Sequence, residues 1–484
     1  MADVASSSLR VSVDEGKTGF VSQATAEEEL DTTALAKVVK KSSIVTVIVS
    51  GIALFSDGYT VQIVGYMQLI FKSLYPGIID DTLKARLSNS FLFGEIFGML
   101  AFGAAIDRLG RRTGVVWATI FLVLGIAFGD CLSWLHYHRL VLDDVEAADE
   151  DARVQRMRGK IIAFSTIFAI DLIRSMGNVV SGIVAIIVLL CYNSQATDGV
   201  WRICYGMGLI LPVAVFIFRF RMINSTQYRR HAIKHNVPYL EALRWYWKPM
   251  LGSVLTWFIY DVIRYPFGLF SSTIIAGFNP SGSLLQSIGY GTLVNSFYLP
   301  GTLLGGYLAD RIGRRQTMTL GFVCLSVIGF IIGGTLPQLK HVFPLFVILY
   351  GIFNASGEMG PGSTTFLCAS EPFPTPLRGH FVGLAAAMGK VGAVVGTQVF
   401  NPIIDSFSTV EQGQRAGFLI GSGFAVIGAI CAWTLLPDMD VQLEKESVRF
   451  ENPLKQSGYR IGTVGESMND NLKFSVYEPD ELSE

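Results

Sequence analysis

The sequence holds no Walker-type Gly-x4-Gly-Lys-Ser/Thr loop, no HExxH or GxSxG motif and no zinc-ligand spacing. Direct ATP drive and a hydrolytic or metal-dependent membrane enzyme therefore find no support, and no cofactor is expected. Charge is scarce: 16% of residues are charged and the formal net charge is -1, leaving no cationic excess to attract nucleic acid. The six cysteines (Cys131, Cys191, Cys204, Cys324, Cys368, Cys431) lie singly in or beside apolar segments, without a CxxC pair or a His-rich partner, and read as small membrane-core residues. Residues 1–40 lack the basic start and short apolar core of a cleaved signal, so the first apolar segment is expected to serve as its own insertion signal.

Apolar sequence is abundant instead. Hydrophobic residues make up 51% of the 484 positions and the mean hydropathy is +0.45, values at which a soluble chain would aggregate. Crossing ~30 Å of hydrocarbon takes roughly 20 apolar residues. Runs of that kind occur near 43–71, 87–106, 115–134, 161–192, 201–220, 250–276, 284–308, 317–335, 342–368, 380–404 and 416–436. The pattern predicts an all-α polytopic membrane protein with a polar cytosolic tail at 1–42, a transmembrane half at 43–220, a basic cytosolic loop at 221–249, a second half at 250–436 and a polar cytosolic tail at 437–484.

Two copies of one short loop stand about two hundred residues apart, each at the end of an apolar run: Gly103-Ala-Ala-Ile-Asp107-Arg108-Leu-Gly-Arg111-Arg112 and Gly306-Tyr-Leu-Ala-Asp310-Arg311-Ile-Gly-Arg314-Arg315. Their glycines permit close helix approach and their cations mark a cytosolic turn. The duplication resembles the loops after the second and eighth helices of major facilitator transporters, which implies two six-helix halves rocking about a midplane site. Eleven runs are visible where that fold has twelve. The segment 130–146 carries too many charges to cross, yet the basic residues of every later loop face the cytosol only if one more crossing precedes residue 150. A fourth helix missing at about 129–146, through a mis-spliced or mis-assembled gene model, is the simplest expectation.

Ionisable groups at membrane depth are costly unless paired or facing a wet cavity, and so are functional candidates. Trp257, Asp261 and Tyr265 fall at i, i+4 and i+8 on one helical face, and Lys390 lies between Gly389 and Gly392. An anion near the bilayer centre needs a fixed cation, which Lys390 supplies, and a proton-driven carrier needs a responsive carboxyl, which Asp261 and Asp57 supply. The alternatives are an Asp–Lys pair that merely joins helices and, for Asp57, a packing role beside Gly58. The Trp-x3-Asp-x3-Tyr ladder, the Gly-Lys-x-Gly motif and the acid beside Tyr59 resemble the phosphate:proton symporters. That resemblance implies a proton-handling acid, aromatics that hold phosphate and a lysine that meets the anion.

The segments Asn354-Ala-Ser-Gly-Glu358-Met and Tyr260-Asp261…Tyr265-Pro-Phe-Gly resemble more closely the fungal glycerophosphodiester permeases, and Gly362 stands where the phosphate symporters carry a substrate-contacting Asn. Gly362 would remove that contact and add room for a larger headgroup. The resemblance implies import of a glycerophosphodiester such as glycerophosphoinositol across the plasma membrane, by a protein expected to be monomeric and whose partners are protons, the small anion and the bilayer. Inorganic phosphate is the alternative substrate, and a transport-dead receptor or defective gene product is the alternative from another class. Arg264 can pair with Asp261, the favoured reading, or meet the anion; Asp171 and Arg174 read as a local i, i+3 pair. Glu95 is either a proton-relay acid or an acid bonded to a neighbouring helix. Glu371 and Arg378 flank a proline-rich turn, Glu371-Pro-Phe-Pro-Thr-Pro-Leu-Arg378, that resembles a gating element of the superfamily but also fits an ordinary turn.

Overall fold

A computed structural model describes residues 51–52, 54–76, 92–101, 159–219, 239–278, 282–373 and 378–437, with side chains for all but 159–170, 209, 211–219, 239–242, 401 and 405. All of them lie in one compact unit, Val49–Glu484. The first duplicated loop with Asp107, Arg108 and Arg111, the run at 115–134, the candidate gap at 129–146, the tail at 1–42 and the tail from 438 onward lie outside the described residues.

Every described element is helical. The N-terminal group comprises α1 (54–74), α2 (Leu92–Ala101), α3 (Gly159–Cys191) and α4 (Asp198–Arg219). The C-terminal group comprises α5 (Tyr239–Leu269), α6 (Ser271–Phe278), α7 (Leu284–Ser296), α8 (Tyr298–Arg311), α9 (Arg314–Leu339), α10 (Phe343–Gly357), α11 (Ser363–Ser370), α12 (Arg378–Asp405) and α13 (Val410–Leu435). Among the described residues, Asp171–Cys191, Arg314–Leu339, Arg378–Ile404 and Val410–Leu435 are long and apolar enough to cross a membrane. Their outward faces carry apolar side chains at helical spacing, such as Ile183, Ile187 and Leu190 on α3 and Ile420, Phe424 and Ile427 on α13, as a lipid-facing surface requires.

Three expected spans are interrupted, each at a proline. In the run 250–276, Pro266 cannot donate to the Val262 carbonyl, and the helix turns at Phe270 before α6. In the run 284–308, Pro300 withholds a bond from Ser296 and the chain breaks at Phe297 between α7 and α8. In the run 342–368, Pro361 lies in one π-helical turn, Glu358–Gly362, between α10 and α11. Apolar periodicity gives no sign of such breaks, because hydropathy continues through them.

Glycines set how closely the helices approach. Along α12, Gly389 faces the Trp257 ring, Gly392 the Phe258 carbonyl and Gly396 the Val262 carbonyl, to which Pro266 has no N–H to donate, so α12 lies directly on the backbone of α5. Gly301, Gly305 and Gly321 likewise bring α8 and α9 against Ala355, Met359 and Gly360. A Cβ at any of these positions would overlap its neighbour. The two groups of helices meet through α1 on α5 and through α3 on α7 and α8. The amide of Gln62 donates to the Gly268 carbonyl at 3.2 Å, the hydroxyls of Ser175 and Thr302 lie 3.0 Å apart, and Asn295 donates to the Tyr66 hydroxyl at 3.3 Å. The aromatic core of the C-terminal group gathers on Phe267, whose ring meets Phe418, Phe353 and Phe400 at centroid distances of 4.6, 5.1 and 5.2 Å.

Candidate functional site

The close fit of α12 on α5 carries Lys390 onto the Trp257–Asp261–Tyr265 face. All four are buried, with Lys390 at 4% and Asp261 at 2% exposure. The Lys390 ammonium donates to the Tyr265 hydroxyl and lies 4.5 Å from the centre of that ring. Its Nζ is 3.6 Å from Asp261 Oδ2 and 3.5 Å from Glu95 Oε2. Trp257 closes one side of the cluster against Phe366, with ring centroids 4.5 Å apart and an edge-to-face tilt of 74°. Asp57, on α1, lies in the field of Lys390, Arg174 and Arg264 rather than in one ion pair. The three ladder residues and Lys390, read from the sequence, thus form a single cluster, with Glu95 as an added member.

A second charged cluster centres on the π-helical turn. There the Glu358 carboxylate, fully buried, accepts from Arg174 Nη2 at 3.0 Å and from Arg264 Nε at 2.9 Å. Arg174 also meets Asp171 at 3.7 Å, the expected i, i+3 pair. The favoured Asp261–Arg264 pair is corrected by this geometry. Arg264 reaches past Asp261 to Glu358, because the π-helical turn pushes Glu358 toward α5 and offers two carboxylate oxygens to two guanidiniums. The guanidinium of Arg264 also lies 5.7 Å from the Tyr265 ring, so one ring bridges the Lys390 and Arg264 clusters. The expectation for Gly362 needs correction as well. The room left by its missing side chain is filled by the Glu358 carboxylate and the Tyr260 hydroxyl. Beside Arg264 lies a small cavity with space for about one water, lined by Tyr260, Tyr298, Asn354 and apolar side chains.

The second duplicated loop closes on the proline turn. Gly313 adopts φ +91°, a left-handed conformation that suits glycine, and α9 starts at Arg314. Arg314 then links two elements, lying 3.9 Å from Asp310 and 3.4 Å from Glu371. Arg311 stacks over the Tyr307 ring at 5.4 Å, and the Arg378 guanidinium donates to the Phe373 carbonyl at 3.3 Å. Five of the expected gating residues are therefore described, and three of them, Asp310, Arg314 and Glu371, form one ionic chain.

The residues that motif reading left out of the site are Glu95, Arg174 and Glu358. A sequence signal existed for Glu95, which shares an i, i+3, i+4 stripe with Leu92 and Met99; those three side chains are buried while Phe93, Phe97 and Leu100 face outward. For Arg174 and Glu358, 184 residues apart, no local pattern announces the pair.

Comparison with known proteins decides the family. Residues 245–445 match the family model described as Sugar (and other) transporter. Glycerophosphoinositol permease 1 of Candida albicans is 33% identical over 453 residues, which cover 88% of this chain and 85% of the relative. Glycerophosphoinositol transporter 1 of Saccharomyces cerevisiae is 33% identical over 466 residues, covering 91% and 88%. The chain belongs to the glycerophosphodiester permeases of the major facilitator superfamily. This permease shares its fold with the proton:xylose symporter XylE bound to 6-bromo-6-deoxy-D-glucose, at TM-score 0.65 and 15% identity over 85% of this chain and 99% of that one. It is accordingly a multi-pass membrane transporter of a small molecule and not an enzyme.

Removing Glu358 should cost the permease most of its stability margin. Glu358→Ala leaves two buried guanidiniums without their shared carboxylate, a change expected to destabilise by ~3–5 kcal/mol. Thermal unfolding of detergent-purified protein should fall by several degrees relative to wild type, whereas an unchanged melt would show that the clamp is not structural.

Proposed function

We propose that the permease is a proton-coupled carrier that imports a glycerophosphodiester, such as glycerophosphoinositol, across the plasma membrane. The observation that carries this reading is the buried Lys390 ammonium held among Asp261, Glu95 and Tyr265. A phosphodiester monoanion needs such a fixed cation at membrane depth, and the cation is accompanied here by carboxylates whose charge it cannot wholly offset. In this reading Lys390 meets the phosphate, Trp257 and Tyr265 wall the site, and Asp261, with Asp57, exchanges the proton. Arg264, held by Glu358, borders the headgroup. The halves at 43–220 and 250–436 rock about this point, while Asp310, Arg311, Arg314, Glu371 and Arg378, with Asp107, Arg108 and Arg111 of the first loop, form the cytosolic gate.

Inorganic phosphate is the second reading, favoured by the same Trp-x3-Asp-x3-Tyr face and Lys390. Labelled glycerophosphoinositol uptake in a permease-null cell ranks the two. Excess free phosphate should leave it nearly unchanged if the diester is the substrate and abolish it if phosphate is. Lys390→Ala and Asp261→Asn should each reduce uptake at least tenfold at equal surface level, and wild-type uptake in both variants would overturn the site assignment.

We further propose that the sequence as given lacks the fourth membrane crossing at about 129–146, without which one wall of the cavity is absent and a transport-dead product becomes the reading. Sequencing the full transcript across codons 125–150 should reveal an added apolar stretch of roughly 20 residues or more. An unchanged transcript would contradict the gap.

A further inference from the structure

We propose that Glu95 is an internal competitor for Lys390, occupying the ammonium that the substrate's phosphate must claim until a proton on Glu95 clears it. The inference rests on the proposed site and concerns the order of events there. An ammonium has three N–H groups. Among the partners of Lys390 in the described residues are the Tyr265 hydroxyl, Asp261 at 3.6 Å and Glu95 at 3.5 Å, so a phosphate oxygen can approach only by displacing a neighbour.

The fold decides which neighbour can leave. Asp261 and Tyr265 belong to α5, which Gly389, Gly392 and Gly396 hold in backbone contact with the helix of Lys390 itself. Moving them away would mean separating α5 from α12. Glu95 instead reaches in from α2, in the other group of helices, on a side chain with more rotatable bonds. Its Oε2 is fully buried and accepts no hydrogen bond among the described residues, so what holds it is ionic attraction across 3.5 Å. Attraction of that kind ends when the carboxylate is neutralised.

Every charged or titratable group packed about Glu95 bears on the exchange. Lys390 comes from α12, Asp261 and Tyr265 from α5 and Asp57 from α1. Three carboxylates thus share the Lys390 ammonium, while Arg174 and Arg264, whose fields also reach Asp57 and Asp261, are engaged by Glu358; a phosphodiester would add a further negative charge to a water-poor site, which is unfavourable unless a proton enters with it. In the proposed sequence a proton from the outer medium, taken up through Asp57 and Asp261, passes to Glu95 Oε2, the neutral side chain releases Lys390, and the phosphate pairs with the ammonium. On the cytosolic side the phosphate departs, Glu95 loses its proton to the cytosol and the carboxylate returns to Lys390.

The test is the pH dependence of KM for labelled glycerophosphoinositol uptake in a permease-null cell, with surface protein measured by a fluorescent tag. In the wild type, KM should rise with pH, approaching about tenfold per unit where Glu95 is ionised, as one-proton linkage requires. Glu95→Gln removes the competitor, so its KM at neutral pH should be lower than wild type and its slope flattened; Glu95→Asp, which keeps the carboxylate, should retain the slope. Should the Gln variant fail to reach the membrane, Glu95→Met carries the same expectation. A Glu95→Gln profile parallel to wild type, or a KM raised equally at every pH, would overturn the proposal. Lys390→Ala measured alongside separates the two possible failures. Normal uptake in that variant refutes the site itself, whereas a dead Lys390→Ala beside an unflattened Glu95→Gln refutes only the competitor role.

Discussion

Everything about this site depends on one ammonium, Lys390, held away from water among carboxylates and a phenol. A lone buried cation is costly, and its neighbours Asp261 and Glu95 offset that cost only by contributing more negative charge than one lysine can balance. Such an arrangement is poorly suited to holding helices together, since a single Asp–Lys pair would do that with less frustration. It is well suited to exchanging protons and anions, because adding either one changes which partner the lysine prefers. The glycines of α12 are the reason the arrangement can exist: they bring the lysine backbone against α5, so that Tyr265 and Asp261 are fixed relative to it.

The second cluster answers a different need. Two guanidiniums from α3 and α5 close on Glu358, and the π-helical turn places that carboxylate where both can reach it. Because Arg174 comes from the N-terminal helices and Glu358 from the C-terminal ones, the clamp ties the two groups together beside the Lys390 cluster. Tyr265 touches the cations of both clusters, so a change at one is felt at the other through a shared ring. The ionic chain Asp310–Arg314–Glu371 repeats this logic between the second duplicated loop and the proline turn.

How much of this was legible in the sequence depended on whether the signal was local. The helical class, the duplicated loop and the Trp257–Asp261–Tyr265 face are written in spacings of a few residues, and the structure assembles that face with Lys390 as the glycine flanks suggest. The interruptions at Phe270, Phe297 and Pro361 were not read because hydropathy averages over them, although the prolines that cause them were in view. The Arg264 partner was misassigned because sequence offers Asp261 three residues away, whereas the true acceptor stands 94 positions downstream and is aimed by a local π-helical turn. Gly362 was read as empty space for a related reason: absence of a side chain says nothing of which neighbour moves in.

The central claim is that anion binding at Lys390 and proton movement are one event. The direct measurement is proton flux in vesicles holding the purified permease, loaded with a pH-sensitive dye and given an inward gradient of glycerophosphoinositol with no imposed pH difference. The account predicts acidification of the lumen that requires the substrate and vanishes in Lys390→Ala. Uptake of the substrate with no accompanying acidification would contradict it.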